Sequence, residues 1–223
     1  MDIKLDAIEA RVLGSLIEKE MTTPEYYPLS LNALTAACNQ KTNRDPVMDL
    51  EEVQVRGAVE ALISKGVAWQ RYSPGSRVPK YAHKFADTLS STFEFSRAQL
   101  AVLGVLMLRG PQTPGEIRGR TGRMYEFKTV EDAEDVLRQL ATHGKGPFVR
   151  ELSRSPGKRE SRYTQLFQPS SEATESYAET VAPMATAGGL TDRVASLEEQ
   201  LAELQLQVET LRAEVLELRQ RGV

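Results

Sequence analysis

The sequence predicts a mainly α chain with small β-hairpins, an α+β fold in which one unit of about 80 residues is made twice and followed by a linker and a coiled coil. Three observations predict it. "VLGSLIEKEMTTP" (Val12–Pro24) and "VLGVLMLRGPQTP" (Val102–Pro114) share Val, Leu, Gly, Leu, Thr and Pro at a constant offset of 90. "SPGSRVPKY" (Ser73–Tyr81) and "SPGKRESRY" (Ser155–Tyr163) share five of nine positions at an offset of 82. After Gly189, leucine and valine recur alternately four and three residues apart. Self-similarity at the first two distances marks a duplicated domain, because solenoid repeats are shorter.

The first unit opens with Asp6 and Glu9, an N-cap and its N3 partner, before Leu5, Ile8, Val12, Leu13, Leu16 and Ile17 at helical spacing. "PLS" leads into a second helix, Leu31 to about Cys38, and the polar loop "NQKTNRDPVM" follows. Asp49 and Glu52 form another capping pattern ahead of Val53, Val55, Val59, Leu62 and Ile63, and Gly66 closes that third helix. "VAWQRY" and "KYAHKF" read as two short strands around the Ser-Pro-Gly turn.

The second unit repeats the order. Ser96 and Gln99 cap a helix running through Leu108. Thr113, Pro114 and Glu116 supply an N-cap, a proline at N1 and an N3 carboxylate for the next helix. Thr129 caps a third helix with Val130, Ala133, Val136, Leu137 and Leu140, ending near Gly144. "FVRELS" and "SRYTQLF" flank the second turn. Three helices and then a hairpin is the winged-helix order, so the expected domains are winged helices over 1–88 and 89–167, with the two turns as wing tips.

The stretch "EARVLGSLIEKEMTTPEYYPLSLNALTAACNQKTNRDPVMDLEE", taken with "SPGSRVPKYAHKF", resembles the YceH-like family of uncharacterised bacterial proteins. The resemblance covers about residues 5–167. It implies a tandem winged-helix fold in a bacterial cytoplasm, and it implies no established activity from which catalytic residues could be carried over.

Residues 168–189 carry Ser, Ala, Thr, Pro and Gly with three glutamates and no lysine or arginine, the composition of a flexible linker. Over 190–221 the heptad seam places Val194, Leu201, Val208 and Val215 at a, and Leu197, Leu204, Leu211 and Leu218 at d. β-Branched residues at a with leucine at d favour a parallel two-stranded coil, hence a homodimer. Arg193 with Glu198 and Glu214 with Arg219 are opposite-charge g-to-e′ pairs. A single amphipathic helix docked on its own domains would also need an apolar stripe, but a period of 3.5 is stricter than docking requires.

Composition narrows the function. A formal charge of −3 does not force a nucleic-acid partner. One cysteine, Cys38, fits a reducing compartment, the charged N-terminal residues make no secretory h-region, and "VLGVLML" is too short to span a bilayer. A cytoplasmic protein with no membrane contact is expected. Two histidines, His83 and His143, and no Cys or His cluster argue against a metal site. No dinucleotide or Walker motif appears, and Cys38 reads as a small core residue. The expectation is a non-enzymatic protein without a cofactor.

For DNA there are basic groups. The first hairpin carries Arg71, Arg77 and Lys80, with no carboxylate from Gln70 to Lys84. The second carries Arg150, Arg154, Lys158, Arg159 and Arg162 against Glu151 and Glu160. Arg118, Arg120 and Arg123 lie near the second helix of the second unit, and Lys41, Asn43 and Arg44 follow that of the first. Each phosphate such residues neutralise contributes through counterion release. Against DNA stand the third helices, which begin "DLEE" and "TVEDAED" and would turn carboxylates toward phosphates if they entered a groove. Two readings stay open: a double-stranded-DNA-binding dimer that uses wings and loops, and a scaffold whose winged helices and coil bind protein partners.

Overall fold

Two helices that bury every side form the middle of the core. The first, α1 (Ala7–Thr22), buries Val12, Leu13, Leu16 and Ile17, and with them Arg11 and Glu18. Its counterpart in the second half, α4 (Arg97–Arg109), buries an unbroken run from Ala98 to Leu108. Helices buried on every side belong inside a core, and these two pack on each other. Glycine makes the approach possible. A Cβ built on Gly14 would lie 3.0 Å from Met107 Cβ and from Leu108 Cγ, and one on Gly104 3.2 Å from Ile17 Cγ2. The contact is reciprocal: Gly104 stands 90 residues after Gly14, and Met107 stands 90 after Ile17. Surfaces that meet this way are related as across a two-fold axis. The repeated "VLG" motif is therefore the crossing point of the two halves.

The structure is a computed structural model that describes residues 3–72, 78–85, 93, 95–153 and 160–168. In the first half, α1 leads through a single 3₁₀ turn at Pro24–Tyr26 to β1 (Leu29–Ser30) and α2 (Leu31–Cys38). Then come α3 (Glu52–Ser64), β2 (Ala68–Tyr72) and β3 (Pro79–His83). The three strands form an antiparallel sheet in the order β1-β3-β2. The second half gives α4, α5 (Pro114–Thr121), α6 (Val130–Ala141) and the hairpin β4 (Val149–Glu151) with β5 (Tyr163–Gln165). Gln112, bridging to Tyr163, occupies the place that β1 has in the first half.

Local chemistry sets most boundaries. Capping boxes close the N-termini of α1, α4, α5 and α6 through Asp6/Glu9, Ser96/Gln99, Thr113/Glu116 and Thr129/Asp132. The box on α3 sits at Glu51 with Gln54, two residues beyond the expected Asp49. Gly66, at φ 74°, turns the chain out of α3 in the left-handed region.

One hydrophobic core runs through both halves. Five of the six phenylalanines pack together where the two hairpins meet: Phe85 packs on Phe93, Phe95 and Phe167, and Phe148 on Phe93, Phe95 and Phe167. Backbone bonds add to this, with the Leu5 N–H donating to the Phe167 carbonyl at 2.7 Å. Among the described residues no helix is long and apolar enough to cross a membrane. The expected linker from 169, the heptad pattern read as a coiled coil, and Arg77, Arg154, Lys158 and Arg159 of the turns lie outside the described residues.

Candidate anion-binding surfaces

The loop between α2 and α3 is polar in sequence and held from within. Asn39 joins its ends: the side-chain amide donates to the Leu50 carbonyl at 2.8 Å and accepts from the Leu50 N–H at 2.9 Å. Beneath it, two arginines are buried. Arg44 sets its fork on the Glu18 carboxylate at 2.6 and 3.1 Å and donates also to the Ala37 carbonyl at 2.8 Å. Arg11 donates to the carbonyls of Cys38 at 3.0 Å and Pro46 at 2.5 Å. Burial, and then the neighbouring Arg44, pull the Arg11 guanidinium below its ordinary value. The loop is also tied to the second half, because the Asp45 N–H donates to the Leu108 carbonyl at 2.9 Å. Arg109 donates to Asn43 Oδ1, and Asn43 itself takes the left-handed region at φ 59°. Asparagine tolerates that region better than most residues.

The sequence places Arg44 among the DNA contacts; the structure corrects this. Its side chain is fully buried against Glu18, and an arginine so committed cannot reach a phosphate. What it does instead is fix the exposed tip, Lys41 to Asn43, in place.

That tip overhangs a groove of about 350 Å³ at the junction of the halves. Lys19 enters from α1, Lys41 from the loop, Arg109 from α4, Arg120 from α5 and Arg123 from the turn after it. Glu18 is the carboxylate in the lining, and Arg44 already holds it. Burial first, and then Arg120 and Arg44, pull the Arg109 guanidinium below its ordinary value, against the opposite pull of Asp45 and Glu18. Among the described residues neither Lys41 nor Arg123 has a carboxylate within ion-pair distance. Two expected clusters, Lys41 with Asn43 and Arg120 with Arg123, are thus brought to one place. Lys19 and Arg109 join them unforeseen: each reads in sequence as a basic residue in the last turn of an apolar helix.

A second basic surface stands on the first hairpin. Register puts Arg71 directly opposite Lys80. Like charges so placed oppose strand pairing. Arg71 lies over the Trp69 ring at 3.8 Å from its centroid, which offsets part of that cost. Arg118 is exposed on α5, outside the groove lining. Arg162 is bound within its own half, donating to the Pro111 carbonyl at 2.8 Å and pairing with Glu116 at 3.0 Å.

The residues of ordinary catalytic chemistry are committed elsewhere. His83 is buried, with Nε2 2.6 Å from Glu20 Oε2 and Nδ1 accepting from the Phe85 N–H at 3.1 Å. His143 packs among Phe95 and Phe148. Burial pushes the Cys38 thiol up to about 11, outweighing Ser15, Arg44 and Arg11. Among the described residues no group of three or more His, Cys, Asp or Glu side chains could hold a metal ion.

A family model described as "Protein of unknown function, DUF480" matches residues 5–158. The chain belongs to the DUF480 family. Its relatives carry the name UPF0502. One from Shewanella sp. (strain W3-18-1) is 47% identical over 210 residues, covering 91% of this chain and 95% of its own. Another, from Pectobacterium carotovorum subsp. carotovorum (strain PC1), is 46% identical, covering 96% of this chain and 100% of its own. The UPF0502 protein YceH of Escherichia fergusonii is 46% identical, covering 96% of this chain and 98% of its own. The DUF480 match takes in the first half and the second as far as residue 158, and with them the groove and the first hairpin.

Proposed function

We propose that this DUF480 chain is a tandem winged-helix protein that associates with duplex DNA through its hairpins, binds rather than catalyses, and is held as a homodimer by its C-terminal heptad seam. The observation that carries the reading is the opposed pair Arg71 and Lys80 on β2 and β3. A sheet gains nothing from that pairing; a hairpin laid along phosphates does. The repeated order of three helices and a hairpin supports it. Helix entry into the major groove is disfavoured, because Glu131, Asp132, Glu134 and Asp135 on α6 are all exposed and the α6 capping box accounts for Asp132 alone. Contact through the hairpins avoids that repulsion.

The test is fluorescence anisotropy of the full-length protein with labelled mixed-sequence duplex across a salt series. Changing Arg71 and Lys80 to Ala is expected to weaken binding about equally on all sequences and to reduce the salt slope by about 2, roughly 0.9 for each phosphate no longer neutralised. Absence of binding at low salt sinks the reading. A second reading has its own observation: an acidic and aromatic hollow of about 370 Å³ at the start of α6, where Tyr125 and Phe127 face Asp132 and Asp135. A scaffold would seat a basic protein segment there, and binding of such a partner without DNA would favour it.

A further inference from the structure

We propose that the junction groove is a binding site for a small phosphorylated molecule, with its phosphoryl end among Lys41, Arg109, Arg120 and Arg123. Four things in the structure lead there. Five cations converge from four segments on one concavity, with Lys19 3.7 Å from Glu18 and Arg120 3.5 Å from Glu116, and the Glu18 carboxylate in the lining is neutralised from behind by Arg44. Assembling cations costs energy unless an anion is to be held, and Arg109, held below its ordinary value first by burial, is lowered next by Arg120 of the same groove. The loop carrying Lys41 is fixed by two buried arginines, so the site exists before its ligand arrives. The size, about 350 Å³, falls at the small end of ligand pockets, and Val105, Leu108 and Met124 give it an apolar lining for the body of the molecule.

The position of the site adds to this. Lys19 and Arg109 are counterparts, 90 residues apart like Gly14 and Gly104. The two loops over the groove follow α2 and α5, helices of equal length and equivalent order. The groove thus sits on the pseudo-two-fold between the halves, one to each chain. A ligand there touches both halves and holds them together. Duplex DNA presents its phosphates on a convex rod, which suits the exposed hairpin; a recess lined by inward cations suits a free phosphoryl group.

The experiment is calorimetric titration of the full-length protein with pyrophosphate, at ionic strength matched with chloride, alongside a Lys41→Ala/Arg123→Ala variant. Both residues are exposed, so the variant is expected to fold. Saturable binding at one pyrophosphate per chain, weakened at least about tenfold in the variant, is expected from the loss of two charge-assisted hydrogen bonds. A rise in Tm of about 5 °C at about 100 times the wild-type Kd should accompany it, and the variant's rise at the same concentration should be about half that or less. No saturable heat, or equal binding by the variant, overturns the proposal. A labelled duplex separates the sources of phosphate. If pyrophosphate displaces the duplex competitively and the variant loses both together, the groove holds backbone phosphates and the small-ligand assignment falls. If the duplex stays bound, or never bound, while pyrophosphate still binds, the assignment stands apart from the DNA reading.

Discussion

Alanine at three of the helical glycines, Gly14, Gly57 and Gly104, should give three different results, and the structure says which. In a helix interior alanine is better than glycine by about 0.8–1.0 kcal/mol, because the backbone loses less freedom on folding. Gly57 on α3 has no atom within 4 Å of the added Cβ, so Gly57→Ala should return that gain in full. At Gly14 the added carbon meets Met107 Cβ and Leu108 Cγ at 3.0 Å. The first of these is fixed to the α4 backbone and cannot rotate away, so the helices must part. Overpacking of that kind costs about 1–3 kcal/mol. The net for Gly14→Ala is a loss of up to about 2 kcal/mol once the helical gain is subtracted. Gly104 is intermediate: Ile17 Cγ2 at 3.2 Å must give by a few tenths of an ångström, and the two effects nearly cancel. Urea unfolding followed by far-UV circular dichroism reads the order. With about 2–4 °C per kcal/mol for a chain of this size, Gly57→Ala should raise Tm by about 3 °C and Gly14→Ala should lower it. Gly14→Ala as stable as Gly57→Ala would refute the close crossing of α1 and α4.

Other predictions follow from buried groups and from the tail. Arg44→Met leaves Glu18 buried without its partner and should cost about 3–5 kcal/mol in the same urea assay, whereas removing a surface phosphate ligand would cost almost nothing; Glu18→Leu added to it should recover much of the loss. Cys38 should resist iodoacetamide in the folded protein at neutral pH and react after unfolding in urea. Its folded value of about 11 lies above the ordinary 9.0, so the folded state keeps a proton that the unfolded state releases. Stability from this group is complete below pH 9 and declines as pH rises from about 9 to about 11, a trend that Cys38→Ala should remove. Deleting residues 190–223 should turn a dimer into a monomer in light scattering; a dimer that survives defeats the coiled-coil assignment.

Much of the fold was legible because its signals are local. Capping boxes lie within four residues, and three of those anticipated from sequence, on α1, α4 and α5, form as expected. The α3 cap shifted because "DLEE" offers more than one register, and Gln54 favours Glu51 by accepting its N–H. Strand β1 is two residues long and is defined by a partner some fifty positions away, so no local pattern announces it. The site was legible only in pieces. Lys41 and Arg123 are visible as basic residues, but their convergence depends on how α1 crosses α4. Arg44 resembled a surface cation because its partner, Glu18, sits far back in the chain on α1. Nothing in "KTNRDP" says which of its two cations turns inward.

The crossing at Gly14 and Gly104 has a consequence for what the groove can distinguish. A cleft on the axis of two identical chains must offer the same residue from each side, so it cannot tell one end of its occupant from the other. Joining the halves in one polypeptide lifts that restriction. Lys19 and Arg109, unlike residues at equivalent places, both line the groove, and Gln40 holds the place after α2 that Arg123 holds after α5. Two halves that meet as equals thereby frame a cleft with a distinguishable left and right, able to hold an unsymmetrical molecule in a single orientation.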